Sequence, residues 1–252
     1  MATSFGRETA AYNTGRPEYP AAAVRWMIEG PSADPSRIVA DIADIADIGA
    51  GTGKLTAALA ALASPGGTLV AVDPDTAMLA SLSQRLPDVR TFVGTGESIP
   101  LPDASLDAVT FGQAWHWVDE HLASRECARV LRPGGVLGLI WNVRDHDVPW
   151  IAELTQIMHA SEAELHVARG GPHLGPGFST PEIFVERWTR LMTVDDILAM
   201  AASRSYLIAA PADERAQILA DIRTHLATHP ALAGREPIEM PYVTTVYRAL
   251  KR

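Results

Sequence analysis

Among 252 residues there is one cysteine, Cys127, which excludes a disulfide framework and any metal site built on paired cysteines. In Glu126-Cys127-Ala128-Arg129 it sits on an apparent helix, where a buried, inert thiol is expected rather than a nucleophile. Dense Lys/Arg runs are missing too, and 21 basic against 30 acidic residues leave a formal charge of −9. A negative chain does not attract a polyanion at long range, so nucleic acid is not the expected partner. No apolar run is long enough to cross a bilayer: "LTAALAALA" is the longest of small apolar residues. The opening "MATSFGRETAAY" has no signal core. The expectation is a soluble, cytoplasmic protein with no membrane partner. Low complexity is confined to Ala-Asp-Ile, which occurs three times over residues 40–48.

What is present is ordinary globular material, 47% hydrophobic, enough for one large domain or a domain with an inserted cap. From residue 37 to 143 short β-rich runs alternate with helical ones. Strands are predicted at Ile45–Ile48, Thr68–Val72, Val89–Val93, Asp107–Phe111 and Val136–Trp141, the last after a Pro133-Gly134-Gly135 turn. Helices are predicted at Lys54–Leu62, Asp75–Leu86 and Asp119–Leu131. This alternation implies right-handed crossovers and an open α/β fold with a parallel sheet. Beyond Asn142 the rhythm changes to a long helix, Trp150–Val167, then a Gly/Pro loop over 170–180. A strand at Phe184–Met192, helices at Val194–Ser203 and Asp213–Ala227, and a closing strand at Pro241–Leu250 complete the pattern, with Asp213 as a helix cap. Residues 144–180 and 193–235 are expected to embellish a single domain over a substrate pocket, with 236–252 closing the sheet.

The glycine turn Gly49-Ala50-Gly51-Thr52-Gly53 follows the first strand, at the edge where such sheets bind ligands. A P-loop would need Gly at position 48 and Ser or Thr at 55; Ile48 and Leu55 stand there. A dinucleotide fingerprint would need Gly where Lys54 stands. The fit is poor, yet a nicotinamide oxidoreductase remains an alternative on topology alone. A strand has period two and the Ala-Asp-Ile repeat has period three, so Asp44 would point to the opposite face from Asp41 and Asp47. A central strand would not accept Asp44 unpaired. Asp41 and Asp44 are therefore expected at an exposed start of the strand, and Asp47, two before the first glycine, at the ligand edge.

"ADIGAGTGKLT" resembles the first motif of class I S-adenosylmethionine-dependent methyltransferases. The resemblance continues through "LVAVDPD", "GTGESIPLPDASLDAVTFGQAWHWVD" and "ECARVLRPGG", covering about residues 12–145. "YNTGRPEYP", "QAWHW", "SRSYL" and "MPYVTTVYRA" are similar to the small-molecule subgroup that includes trans-aconitate methyltransferase. The family implies a Rossmann-like, mostly parallel sheet of seven strands with helices on both faces and a helical cap. It implies S-adenosyl-L-methionine as cofactor and S-adenosyl-L-homocysteine as product. Cofactor contacts would then come from Asp47, Gly49, Gly51, Gly53, Asp73 on the ribose hydroxyls, Pro74, Gly96, Glu97, Gln113 and Arg16. Thr95 stands where many relatives carry an acid toward adenine.

Methyl transfer is an in-line displacement with the acceptor held about 3 Å from the methyl. A carboxylate acceptor needs no base, whereas a neutral hydroxyl does. His116 is the candidate to orient or deprotonate the acceptor. Trp115 and Trp117 either wall the pocket or lie in the core. Tyr12 is a second catalytic candidate, closing the site with Arg16. Asn142 and Arg144 could face the acceptor, while Asp145-His146-Asp147 reads as a polar turn and no metal is expected. The resulting expectation is O-methylation of a small molecule by a monomer or homodimer. A binder that senses the cofactor without catalysis is the other alternative.

Overall fold

The computed structural model describes residues 17–31, 44–62, 66–232 and 234–252. Strands β1 (Asp44–Ile48), β2 (Thr68–Asp73), β3 (Arg90–Val93), β4 (Leu106–Gly112) and β5 (Leu131–Arg144) pair in parallel in the order β3-β2-β1-β4-β5. The sheet then continues through β7 (Ile238–Leu250) to β6 (Glu182–Met192), giving seven strands. Gly134 and Gly135 bond with Lys251 while the Asp145 amide donates to Pro241, so β7 runs antiparallel to β5. The expected α/β class and open sheet are both present.

Two compact units divide the chain. The larger comprises Glu18–Asn142, Leu165–Glu186 and Thr244–Arg252; the smaller includes Val143–Glu164 and Arg187–Val243. In the larger, helix α1 (Ala21–Glu29) buries Ala23, Val24, Met27 and Ile28 against Ile45, Leu55, Leu59, Ala108, Val136 and Ile140. Helix α2 (Lys54–Ala60) adds Leu55 and Leu59 to that core. Helix α3 (Thr76–Arg85) is capped by Asp75, which accepts from Ala77 N and Met78 N. Helix α4 (Glu120–Val130) is capped in the same way by Asp119 through Leu122 N at 3.0 Å. Both caps satisfy amides that the helix itself leaves unpaired.

Three expectations need correction. The long helix over Trp150–Val167 is two helices, α5 (Pro149–Met158) and α6 (Glu162–Ala168). His159 takes φ +55°, which ends α5, and a new cap starts α6. Ser161 N donates to Glu164 Oε2 at 2.7 Å and Glu164 N donates to Ser161 Oγ at 3.3 Å. That is the reciprocal arrangement Ser-x-x-Glu encodes. Helices α7 (Val194–Ala202) and α8 (Ser205–Ala209) follow, then α9 (Ala212–Thr228), whose cap is Pro211 rather than Asp213. Asp213 lies in the first turn, where its charge opposes the helix dipole's positive end favourably. Helix α1 was not anticipated at all. The smaller unit's core gathers Trp150, Ile151, Leu154, Met158, Ile197, Met200, Ile222 and Leu226 among others.

The repeated aspartates separate as their strand positions require. Asp44 is half-buried and bonds Arg132 at 2.8 Å, and the same guanidinium takes Asp107 at 2.5 Å. Asp41 lies outside the described residues. Asp47 is buried to 1% exposure in the central strand. Its carboxyl accepts from the Thr56 hydroxyl at 2.6 Å and, at 3.4 Å, from Thr110. Burial pushes the Asp47 carboxyl up to about 7, helped by the charge of Asp73 and opposed by the two hydroxyls.

A carboxyl protonated in the fold but ionised when unfolded favours the folded state at low pH. Between about pH 4 and pH 7 the folded chain holds the extra proton, so stability falls as pH rises and levels off above that window. Asp47→Asn should remove a slope on the order of 4 kcal/mol over that window. Urea unfolding of both proteins at several pH values checks this; parallel curves would contradict it.

Candidate active site

The turn after β1 hangs on the end of β2. Gly49 N and Ala50 N both donate to Val72 O, at 2.8 and 3.1 Å. Asp73 then reaches back: its Oδ2 accepts from Gly51 N at 2.8 Å and its Oδ1 from Asp75 N at 2.8 Å. Arg85 Nη2 fixes the far end by donating to Gly53 O at 2.7 Å. Gly49, Gly51 and Gly53 all have positive φ, which is the region glycine occupies without steric cost.

The three glycines answer to different neighbours. A Cβ on Gly49 would stand 2.6 Å from Ala114 Cβ, and one on Gly53 would stand 2.7 Å from Leu82 Cγ. A Cβ on Gly51 would meet nothing within 4 Å among the described residues beyond its chain neighbours. The protein's own packing therefore demands two of them, whereas Gly51 borders space left open by the described residues, beside a carboxylate. Asp73 uses one acceptor site of each oxygen on backbone amides, leaving about two of roughly four for hydroxyl protons. Those acceptor sites and that cradle fit a ribose and an adjoining amino-acid moiety without requiring a phosphate. Pro74 follows Asp73 at the surface. Asp47 is placed differently from the ligand edge expected of it: its oxygens turn to Thr56 and Thr110 inside the core.

Beyond β3, Thr95 and Ser98 form an isolated bridge. Gly96 is packed so closely that a Cβ would press on Val118 and Phe111. Glu97 Oε1 accepts from Asp119 N at 2.8 Å, which ties this loop to the start of α4.

After β4 the chain turns sharply at Gln113, φ +55°. Its backbone amide donates to Ile140 O at 2.9 Å and its Nε2 to Asn142 O at 2.5 Å. The Oε1 of Gln113 is buried with no hydrogen-bond partner among the described residues. Trp115, His116 and Trp117 make one 3-10 turn. Trp115 is fully buried, set edge-on to Phe111 and donating from Nε1 to Glu120 at 2.8 Å. It is a core residue and presents no surface to a pocket. Trp117 is the reverse, 70% exposed, with its ring 4.8 Å from that of His116. His116 accepts at Nδ1 from Trp141 Nε1, 3.2 Å away.

Two residues offered to the acceptor are committed elsewhere. Asn142 donates to Glu18 O at 3.1 Å and accepts from Thr244 Oγ1 at 2.6 Å, so both ends of its amide are used. Arg144 is 2% exposed and pairs with Glu164 at 2.8 Å. Burial drives the Glu164 carboxyl up, but His146, Arg144 and Arg204 together outweigh it and hold the group well below the usual carboxylate range. Asp145 and Asp147 share Arg187, at 3.1 and 2.8 Å. Among the described residues no group of three His, Cys, Asp or Glu side chains is arranged to hold a metal. Tyr12 and Arg16 lie outside the described residues.

One neighbour was missed in the sequence. His166 on α6 stacks on Trp141 at 5.1 Å and lies 6.2 Å from the His116 ring. Burial lowers its pKa, favouring a neutral ring near pH 7. The usable signal was the Ser161–Glu164 cap, which sets where α6 starts and hence where residue 166 faces.

A family profile described as a methyltransferase domain matches residues 46–139, the stretch containing the glycine turn, Asp73 and His116. An uncharacterized methyltransferase of Mycobacterium tuberculosis is 43% identical over 99% of this chain and 96% of its own length. One from Schizosaccharomyces pombe is 31% identical over 98% of this chain and 97% of its length. A solved structure from Anaeromyxobacter dehalogenans, proposed to be a type II methyltransferase, has 25% identity and a TM-score of 0.69, covering 94% of this chain and 97% of that one. The seven-stranded sheet is thus the Rossmann-like methyltransferase fold. The chain belongs to the class I methyltransferases, whose cofactor is S-adenosylmethionine.

Proposed function

We propose that this methyltransferase transfers the methyl group to an oxygen of a small molecule, with the acceptor held beside His116 and Trp117. The observation that carries this reading is the close approach of Gly49 to Ala114, which leaves no room for a Cβ at Gly49. It brings the turn that would back the methionine end of the cofactor against the segment that carries His116. Donor and acceptor sides of an in-line transfer need that adjacency.

S-adenosylmethionine, when bound, supplies a methyl on a sulfonium centre that leaves as a neutral thioether. The chain's own residues do the rest. Asp73 holds the ribose hydroxyls, and Gly49, Gly51 and Gly53 let the backbone approach the methionine moiety. Gly96, Glu97 and Gln113 border the adenine side. The exposed face of Trp117 offers an apolar wall to a planar or apolar acceptor. A formal charge of −9 disfavours a polyanionic acceptor. In this reading the enzyme resembles the small-molecule subgroup that trans-aconitate methyltransferase represents, acting through one domain over residues 1–252.

Replacing Asp73 by Asn removes the charge from its hydrogen bonds while keeping its shape. Affinity for S-adenosylhomocysteine should fall more than about tenfold; because one of the two amide-accepting oxygens becomes an N–H donor, the unfolding temperature also falls, and the titration is made where thermal unfolding shows the variant folded. Isothermal titration checks this, and unchanged affinity removes the ribose assignment. In a metabolite extract supplied with methyl-labelled cofactor, the label should enter small molecules; label confined to protein or nucleic acid would overturn the acceptor class.

A further inference from the structure

Trp141, near the end of β5, is held on two sides in the larger unit. His166 stacks on its ring with planes 24° apart, and Tyr247 of β7 meets it edge-on at 5.7 Å and 87°. Gly171, at φ +80°, lets the chain after α6 settle on Tyr247, since a Cβ there would collide with the phenol. The indole is only 1% exposed, so its one polar atom has a fixed direction. That atom donates to Nδ1 of His116 at 3.2 Å.

An indole N–H can donate and cannot accept. The Nδ1 atom of His116 must therefore present a lone pair to it. In a neutral imidazole the single ring proton then resides on Nε2. Whatever His116 faces with Nε2 meets a donor, and that nitrogen cannot take up a proton while the bond to Trp141 stands.

We propose that Trp141 is a positioning residue that locks His116 in its Nε2–H form. His116 then serves the acceptor as a hydrogen-bond donor rather than as a base, and the acceptor oxygen is already anionic, as in a carboxylate. This rests on the O-methylation reading above. An anionic oxygen forms its bond to the methyl carbon while the carbon–sulfur bond breaks and its electron pair stays on sulfur. An anion and a sulfonium become a neutral ester and a neutral thioether, and no proton needs to leave. The Nε2–H bond steadies the second carboxylate oxygen so that the first is aimed at the methyl.

The lock is tested without any acceptor, by long-range proton–nitrogen NMR on the full chain labelled with nitrogen-15, using His116→Gln to assign the ring. Wild type should display the Nε2–H tautomer, and Trp141→Phe, which keeps the aromatic bulk, should mix the two forms. An Nδ1–H ring in wild type, or a tautomer unmoved by Trp141→Phe, overturns the lock.

The acceptor half is tested with labelled cofactor and three panels: carboxylic acids, phenols ionised at the assay pH, and unactivated alcohols. Carboxylic acids should be methylated. Phenols alone would keep the anionic oxygen and overturn the carboxylate. Turnover of alcohols alone, or of no panel, overturns the acceptor half while the spectra decide the lock separately. With an active acceptor, His116→Ala should lose more than about tenfold in kcat. His116→Gln, which restores an N–H donor, should recover most of that loss; equal loss in both variants overturns the donor role.

Discussion

A buried carboxylate at the end of β2 takes the amide proton of Gly51 at 2.8 Å, and the geometry of the site follows from that bond. It ties the glycine turn to a neighbouring strand, so the turn is held from beside and not only by its own short helix. Val72 O takes two further amides of the same turn, and Arg85 donates to the Gly53 carbonyl. The backbone is thereby preorganised with Gly51 facing space that the described residues leave open. Preorganisation of this kind reduces the ordering cost when a ligand binds. Asp47 lies in the same central strand, and the negative charge of Asp73 contributes to its raised pKa. Holding two carboxyls so near one another is tolerable because Asp47 keeps its proton up to about neutral pH.

Most of the α/β core was legible because local and global signals agree there. Strands β1, β2 and β4 are mostly buried and read as short β-rich runs ended by turn residues, with Asp47 and Thr110 among the buried polar exceptions. Asp75 and Asp119 mark helix starts that the structure confirms. Asp44 was assigned to the start of the strand because it could not be buried unpaired, and Arg132 is the partner that lets it stay half-buried. Arg132 is 88 residues away in sequence, and no local pattern announces such a pair. Helix α1 was missed because Pro20 caps it without a side-chain bond. Its Ala23, Val24, Met27 and Ile28 stripe was the remaining clue.

The site was less legible than the fold, for a reason of the same kind. Gly49, Gly51, Gly53 and Asp73 are close in sequence to the strand ends that place them, so motif and position coincide. Trp115, Trp117, Asn142 and Arg144 depend on partners chosen by tertiary packing. Trp115 and Trp117 are two residues apart, yet one is fully buried and the other 70% exposed, because a 3-10 turn sends their rings in different directions. Arg144 was free to face a ligand until a second helix start at Ser161 placed Glu164 beside it. The same helix start brought His166 to Trp141. A single capping box, read correctly, would have corrected both.

The account stands on the open side of Gly51 being where the cofactor lies. Titration of S-adenosylhomocysteine into Gly51→Ala tests it most directly, because among the described residues nothing beyond its chain neighbours lies within 4 Å of the added methyl. The left-handed backbone there costs alanine about 1–2 kcal/mol, so thermal unfolding confirms that the variant is folded at the titration temperature. Binding should weaken more than about tenfold relative to wild type, with wild type also preferring S-adenosylhomocysteine to NAD. Wild-type affinity in folded Gly51→Ala would contradict the placement.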